Sequence, residues 1–118
     1  KLLKTKDPLD ILITHDKDDG NQRGYGMREI REVLDNVIVR YHFYGHTGEP
    51  FNQVQDSNGI TQSIKIKELE FEDSGILPKG CMVILHQTSG NIINIEIVDQ
   101  RLTNKLTKYT WNLQDVKT

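Results

Sequence analysis

The sequence predicts an α/β fold with a mixed sheet, in which one β-α-β unit is followed by antiparallel β-hairpins. Three observations carry that expectation. Residues 9–14 and 38–44 read as strands. Between them Met27, Ile30, Val33, Leu34 and Val37 recur at helical spacing. Beyond them, Asn58-Gly59 and Gly90-Asn91 each sit between two extended stretches, as hairpin turns do.

In residues 9–14, Ile11, Leu12 and Ile13 are consecutive, so the strand is expected to be covered on both faces, as in a layered α/β protein. At Asp16 the texture turns polar and glycine-rich, and residues 16–26 read as a loop. The helix that follows is amphipathic and about three turns long, with Arg28, Glu29, Arg31, Glu32 and Asp35 on the polar face. The β-branched and aromatic residues of 38–44 return the chain to a strand. Ile64 and Ile66 alternate with Lys65 and Lys67, which places the lysines on a solvated face. Residues 75–80 form a loop containing Pro78. Residues 81–87 and 92–98 form a second hairpin, and the second half is expected to complete the sheet with antiparallel strands. The polar stretch 102–113 has Tyr109 and Trp111 as anchors.

At 118 residues the chain suits one domain, and a 27% charged, 36% hydrophobic composition suits a globular one. A net charge of −2 does not indicate nucleic acid or an anionic membrane as a partner. No apolar run approaches the roughly 20 residues of a membrane span. The single cysteine, Cys81, rules out an internal disulfide and reads as a buried small hydrophobe. The expectation is a chain without a signal peptide and a cytoplasmic location.

Two histidines stand where strands end. His15 closes Ile13-Thr14-His15, and His46 follows Tyr44-Gly45. A β-α-β crossover puts both strand carboxyl ends on one edge, where open α/β sheets bind ligands. Neutral imidazole ligates zinc, manganese and iron. Gly45 and Gly48 are expected to shape the loop around His46. Arg23 and Lys17 are candidates for steering a phosphate, with a mobile surface loop the blander reading. His42, four residues before His46, reads as a packed histidine or one supporting a ligand. Asp16, Asp18 and Asp19 read as a solvated acidic loop, and His86 as structural. Gly24 and Gly26 are not a P-loop, because no Gly-Lys-Ser/Thr follows.

Residues 13–16, the glycine-rich loop, the amphipathic helix and Tyr41-His42-Phe43-Tyr44-Gly45-His46-Thr47-Gly48 resemble the C-terminal half of a calcineurin-like metallophosphoesterase. That family carries a strand-end histidine and, one helix and strand later, a Gly-His-x-His motif. The resemblance implies an α/β sandwich. It also implies a dinuclear site of divalent Mn, Fe or Zn that polarises a phosphoryl group and activates the attacking water. His15 and His46 would ligate one ion. Gly48 stands where the family has a second histidine, for the other ion. The family's earlier motifs, an Asp-x-His pair, a bridging aspartate and an Asn-His pair, are absent.

Residues 1–118 are therefore expected to be a single domain, the C-terminal part of such a sandwich, with its N-terminal half missing. The substrate would be a phosphorylated small molecule or another phosphoester. The whole protein would be a hydrolase, and this portion alone inactive. The alternatives are a catalytically weak or inactive scaffold of the same fold that acts as a binding module, and a small β-rich interaction domain unrelated to the family, with histidines placed by chance.

Overall fold

The structure, a computed structural model, describes residues 7–18, 26–89 and 93–110. Arg23, Asp19, Gly24 and Trp111 lie outside them, as do Gly90 and Asn91 of the second hairpin signal. The chain divides into two compact units, Lys1–Ile66 and Lys67–Thr118.

The first unit holds a mixed four-stranded sheet in the order β1-β2-β4-β3. Strand β1 (Leu9–Ile13) leads through helix α1 (Arg28–Asn36) to β2 (Val39–Tyr44), and β1 pairs with β2 in parallel. This is the expected β-α-β unit. Strands β3 (Asn52–Gln55) and β4 (Gln62–Lys65) form the expected hairpin, but β4 also pairs in parallel with β2. The hairpin thus inserts its second strand into the sheet, which is what makes the sheet mixed.

Helix α1 is held by its apolar stripe. Ile30 and Leu34 are buried against Val39, with Leu12, Val33 and Val37 packed around them. Met27 is a weak N-cap with no side-chain hydrogen bond, so packing rather than capping sets the helix. At the other end the β3–β4 turn reaches the helix. Asn58 Nδ2 donates to the Leu34 carbonyl, one of the acceptors a helix terminus leaves unpaired, at 3.0 Å.

Two expectations about the strands of this sheet need correction. Strand β1 is not covered on both faces: none of its five residues is buried, and Ile13 is 76% exposed. Lys65 is not solvated. Its strand is interior to the sheet, between β2 and β3, and Lys65 is 1% exposed. Its Nζ donates to the carbonyls of Glu49 and Ile66 at 2.8 and 2.9 Å.

The second unit contains β5 (Val83–Gln87) antiparallel to β6 (Ile93–Ile97), then the short helix α2 (Gln100–Thr103). This hairpin does not complete the first sheet as expected; it forms a separate two-stranded one. Cys81 is buried, which pushes its thiol pKa up. His86 pairs with Glu96 across the hairpin at 2.7 Å. Tyr109, expected to be an anchor, is 76% exposed.

Candidate metal centre

The parallel register of β1 and β2 sets the site. Leu12 is opposite His42 and Ile13 opposite Phe43. The ladder then continues past the strand ends: Thr14 N–H donates to Phe43 O at 3.0 Å, and Gly45 N–H donates to His15 O at 3.2 Å. His15 is thereby fastened beside Gly45, one residue from His46. The two imidazoles meet, with His15 Nε2 2.9 Å from His46 Nδ1 and ring centroids 4.4 Å apart. The histidine pair inferred from chain order is thus a pair in space.

His46 is held at φ +74°, in the left-handed region. For a residue with a Cβ that conformation is strained by about 1–2 kcal/mol. Such strain persists where surrounding structure imposes it, and it concentrates at functional sites. The bend expected of Gly45 therefore falls on His46 itself. A Cβ at Gly45 would meet Ile66 O at an ordinary 3.7 Å, so space does not demand glycine there. Gly48 has φ +77° with open space around it, so its backbone, not crowding, favours glycine.

His42 is fully buried and braces the His15 loop. Thr14 Oγ1 donates its one proton to Asp16 O at 2.6 Å, so it accepts from His42 Nε2–H at 2.7 Å. Burial holds the His42 pKa below its ordinary value, which keeps the ring neutral in that tautomer. Asp16 is half-buried and its Oδ1 is buried, where the loop composition suggests a solvated carboxylate. Asp16 Oδ1, His42 Nδ1 and Thr47 Oγ1 are all buried without a hydrogen-bond partner among the described residues. Asp16 and Thr47 each adjoin one histidine of the pair. Buried polar atoms in folded proteins nearly always have partners, including water or an ion.

The pair suits part of a metal site. Two nitrogens about 2.0–2.1 Å from one ion lie about 2.9 Å apart at a right angle and about 3.4 Å apart at the tetrahedral angle. In the structure the two nitrogens share an N–H···N hydrogen bond of 2.9 Å, a separation that also fits right-angle corners of one coordination sphere. Catalytic zinc sites take three protein ligands. Among the described residues no group of three or more His, Cys, Asp or Glu is placed to hold an ion. The residues therefore supply two donors of an incomplete set.

Sequence reasoning misses Arg31, whose spacing marks it only as one of several charges on the polar helix face. Its guanidinium binds Asp56 through two nitrogens at 2.8 and 2.7 Å, Asp18 at 2.8 Å and Asp35 at 2.8 Å. It ties α1 to the His15 loop and to the β3–β4 turn. The Asp56 hydrogen bonds raise the Arg31 pKa, and Arg31 in turn holds the Asp56 carboxyl below its usual range. The only available signal is the Arg31–Asp35 spacing, which finds the most exposed of the three partners. Tyr44 is half-buried; burial, then Asp18 and Glu49, push its pKa up, so the phenol keeps its proton.

Compared with known proteins, the chain matches no family model, no curated protein and no solved structure.

Proposed function

We propose that the chain contributes two imidazole ligands, His15 and His46, to one divalent ion of a metallophosphoesterase-like hydrolase. The observation that carries this reading is the 2.9 Å contact between His15 Nε2 and a His46 held in left-handed backbone. When bound, the ions would polarise the phosphoryl group and activate water. Manganese, iron and zinc all accept imidazole. The chain's own residues hold the ligands in place. His42, acting through Thr14, fixes the turn at His15–Asp16. Lys65 pins Glu49 O, at the far end of the loop that carries His46. The carboxylate ligands would come from the other half of the same fold, completing a sandwich with this portion as its C-terminal part.

The test is hydrolysis of an aryl phosphate by the complete protein with Mn²⁺ or Zn²⁺. His15→Ala and His46→Ala are each expected to abolish the metal-dependent rate. Activity that survives both substitutions refutes the assignment.

A second reading has its own observation. Position 48 is a glycine, which has no side chain to offer a second ion. A scaffold that binds one ion and serves as an interaction module fits that feature. Binding of one ion rather than two to the complete protein, with no turnover, would favour it.

A further inference from the structure

The loops that carry the two histidines also wall a polar cleft of about 390 Å³. Asp18, three residues after His15, and Glu49, three residues after His46, both line it. Tyr44, Ser63 and Val54 lie on one face of β2, β4 and β3, as the pairing of His42 with Ser63 and of Ser63 with Val54 requires. Lys17, Arg31 and Asp56 also line the cleft.

Its charge is the informative feature. Arg31 is already engaged by Asp18, Asp35 and Asp56, so its donors are directed at protein carboxylates. Among the described residues that line it, two cations, Lys17 and Arg31, stand with three carboxylates, Asp18, Glu49 and Asp56, a net charge of −1. Hydroxyls and amides, from Tyr44, Ser57, Ser63, Asn52 and Gln55, supply neutral hydrogen bonds. Such a cleft opposes a second anionic group and favours hydroxyls or an amine.

We infer that this cleft receives the leaving-group side of the phosphoester, and that this group is an uncharged or cationic alcohol. The inference rests on the phosphoesterase reading and adds a substrate class to it: phosphoesters of polyols or amino alcohols, not of carboxylate-bearing or polyphosphorylated alcohols.

Three probes with a common three-carbon skeleton test it: serinol (a cation), glycerol (neutral) and glycerate (an anion). Each is titrated into ¹⁵N-labelled chain without metal, followed by amide shifts. Serinol and glycerol are expected to move Tyr44, Ser63 and Gln55. Serinol should bind about tenfold more tightly than glycerate, given two units of charge difference in a partly solvated site. Asn52→Lys, at an exposed position on the cleft, should erase or invert that order. Glycerate binding as tightly as serinol, or shifts confined to residues outside the cleft, would overturn the inference. His15→Ala should leave the ranking unchanged, because neither imidazole lines the cleft. The expected ranking in a chain that takes up no Zn²⁺ refutes the metal reading and supports the cleft. Zn²⁺ uptake with no polyol binding refutes the cleft alone.

Discussion

Replacing His46 by glycine and, separately, by alanine isolates the strain at the site. Both substitutions remove the imidazole and its contact with His15 Nε2, so that loss cancels in the comparison. What remains is the backbone at φ +74°. Alanine keeps a Cβ in the left-handed region, at about 1–2 kcal/mol. Glycine avoids that cost but loses more chain entropy on folding, about 0.5–1 kcal/mol relative to alanine. The difference leaves His46→Gly more stable than His46→Ala by about 0.7 kcal/mol, the middle of a range from about 0 to about 1.5 kcal/mol. Urea denaturation followed by circular dichroism reads it as a higher midpoint at unchanged slope. If the alanine variant is instead more stable than the glycine variant, as glycine's entropy alone would make it, His46 is not held in the left-handed region and the reasoning about imposed strain fails.

The other predictions concern the groups that hold the site in place. Arg31→Met leaves Asp56, whose side chain is 8% exposed, without its cation, and should cost about 2–4 kcal/mol in denaturant unfolding. Adding Asp56→Asn should restore part of that loss, since the uncompensated charge is then gone. Because Arg31 lowers the Asp56 pKa, this stabilisation is fully present above the ordinary value of 3.8 and fades as pH falls through the lower folded value. Unfolding measured from about pH 5 to about pH 2 should therefore show less acid dependence in Arg31→Met. Lys65→Met leaves the Glu49 and Ile66 carbonyls without their donor and should cost about 1–3 kcal/mol, read by thermal melting. In the second unit, Gly75→Ala places a Cβ 2.7 Å from the Tyr109 ring at φ +88°. It should destabilise by about 1–2 kcal/mol, and Tyr109→Ala should relieve only the steric part.

What is legible in the sequence is what local pattern dictates. The 3.6-residue spacing of Ile30 and Leu34 finds α1, and Asn58-Gly59 finds the β3–β4 hairpin. The juxtaposition of His15 and His46 follows from strand-end position and crossover topology alone. Features set by long-range pairing are not legible. Lys65 alternates with isoleucines as an exposed lysine would, and only the insertion of β4 between β2 and β3 buries it. Strand β1 has the apolar composition of a covered strand, yet its neighbours are settled by sheet order. Arg31 finds Asp18 and Asp56 at separations of 13 and 25 residues, which no helical spacing announces. The coarse class, a mixed α/β arrangement, follows from local pattern, but the partition into a four-stranded mixed sheet and a separate two-stranded one does not.

The most direct measurement is a Co²⁺ titration of this chain, followed by visible absorption and by ¹H–¹⁵N spectra of the imidazole rings. One ion per chain is expected, bound weakly because two donors are fewer than a catalytic site uses. The signals of His15 and His46 should broaden together, and the ion should be lost on substituting either one. Saturable binding that survives His15→Ala, or an ion held at His86 instead, would contradict the claim that the two strand-end histidines share one metal.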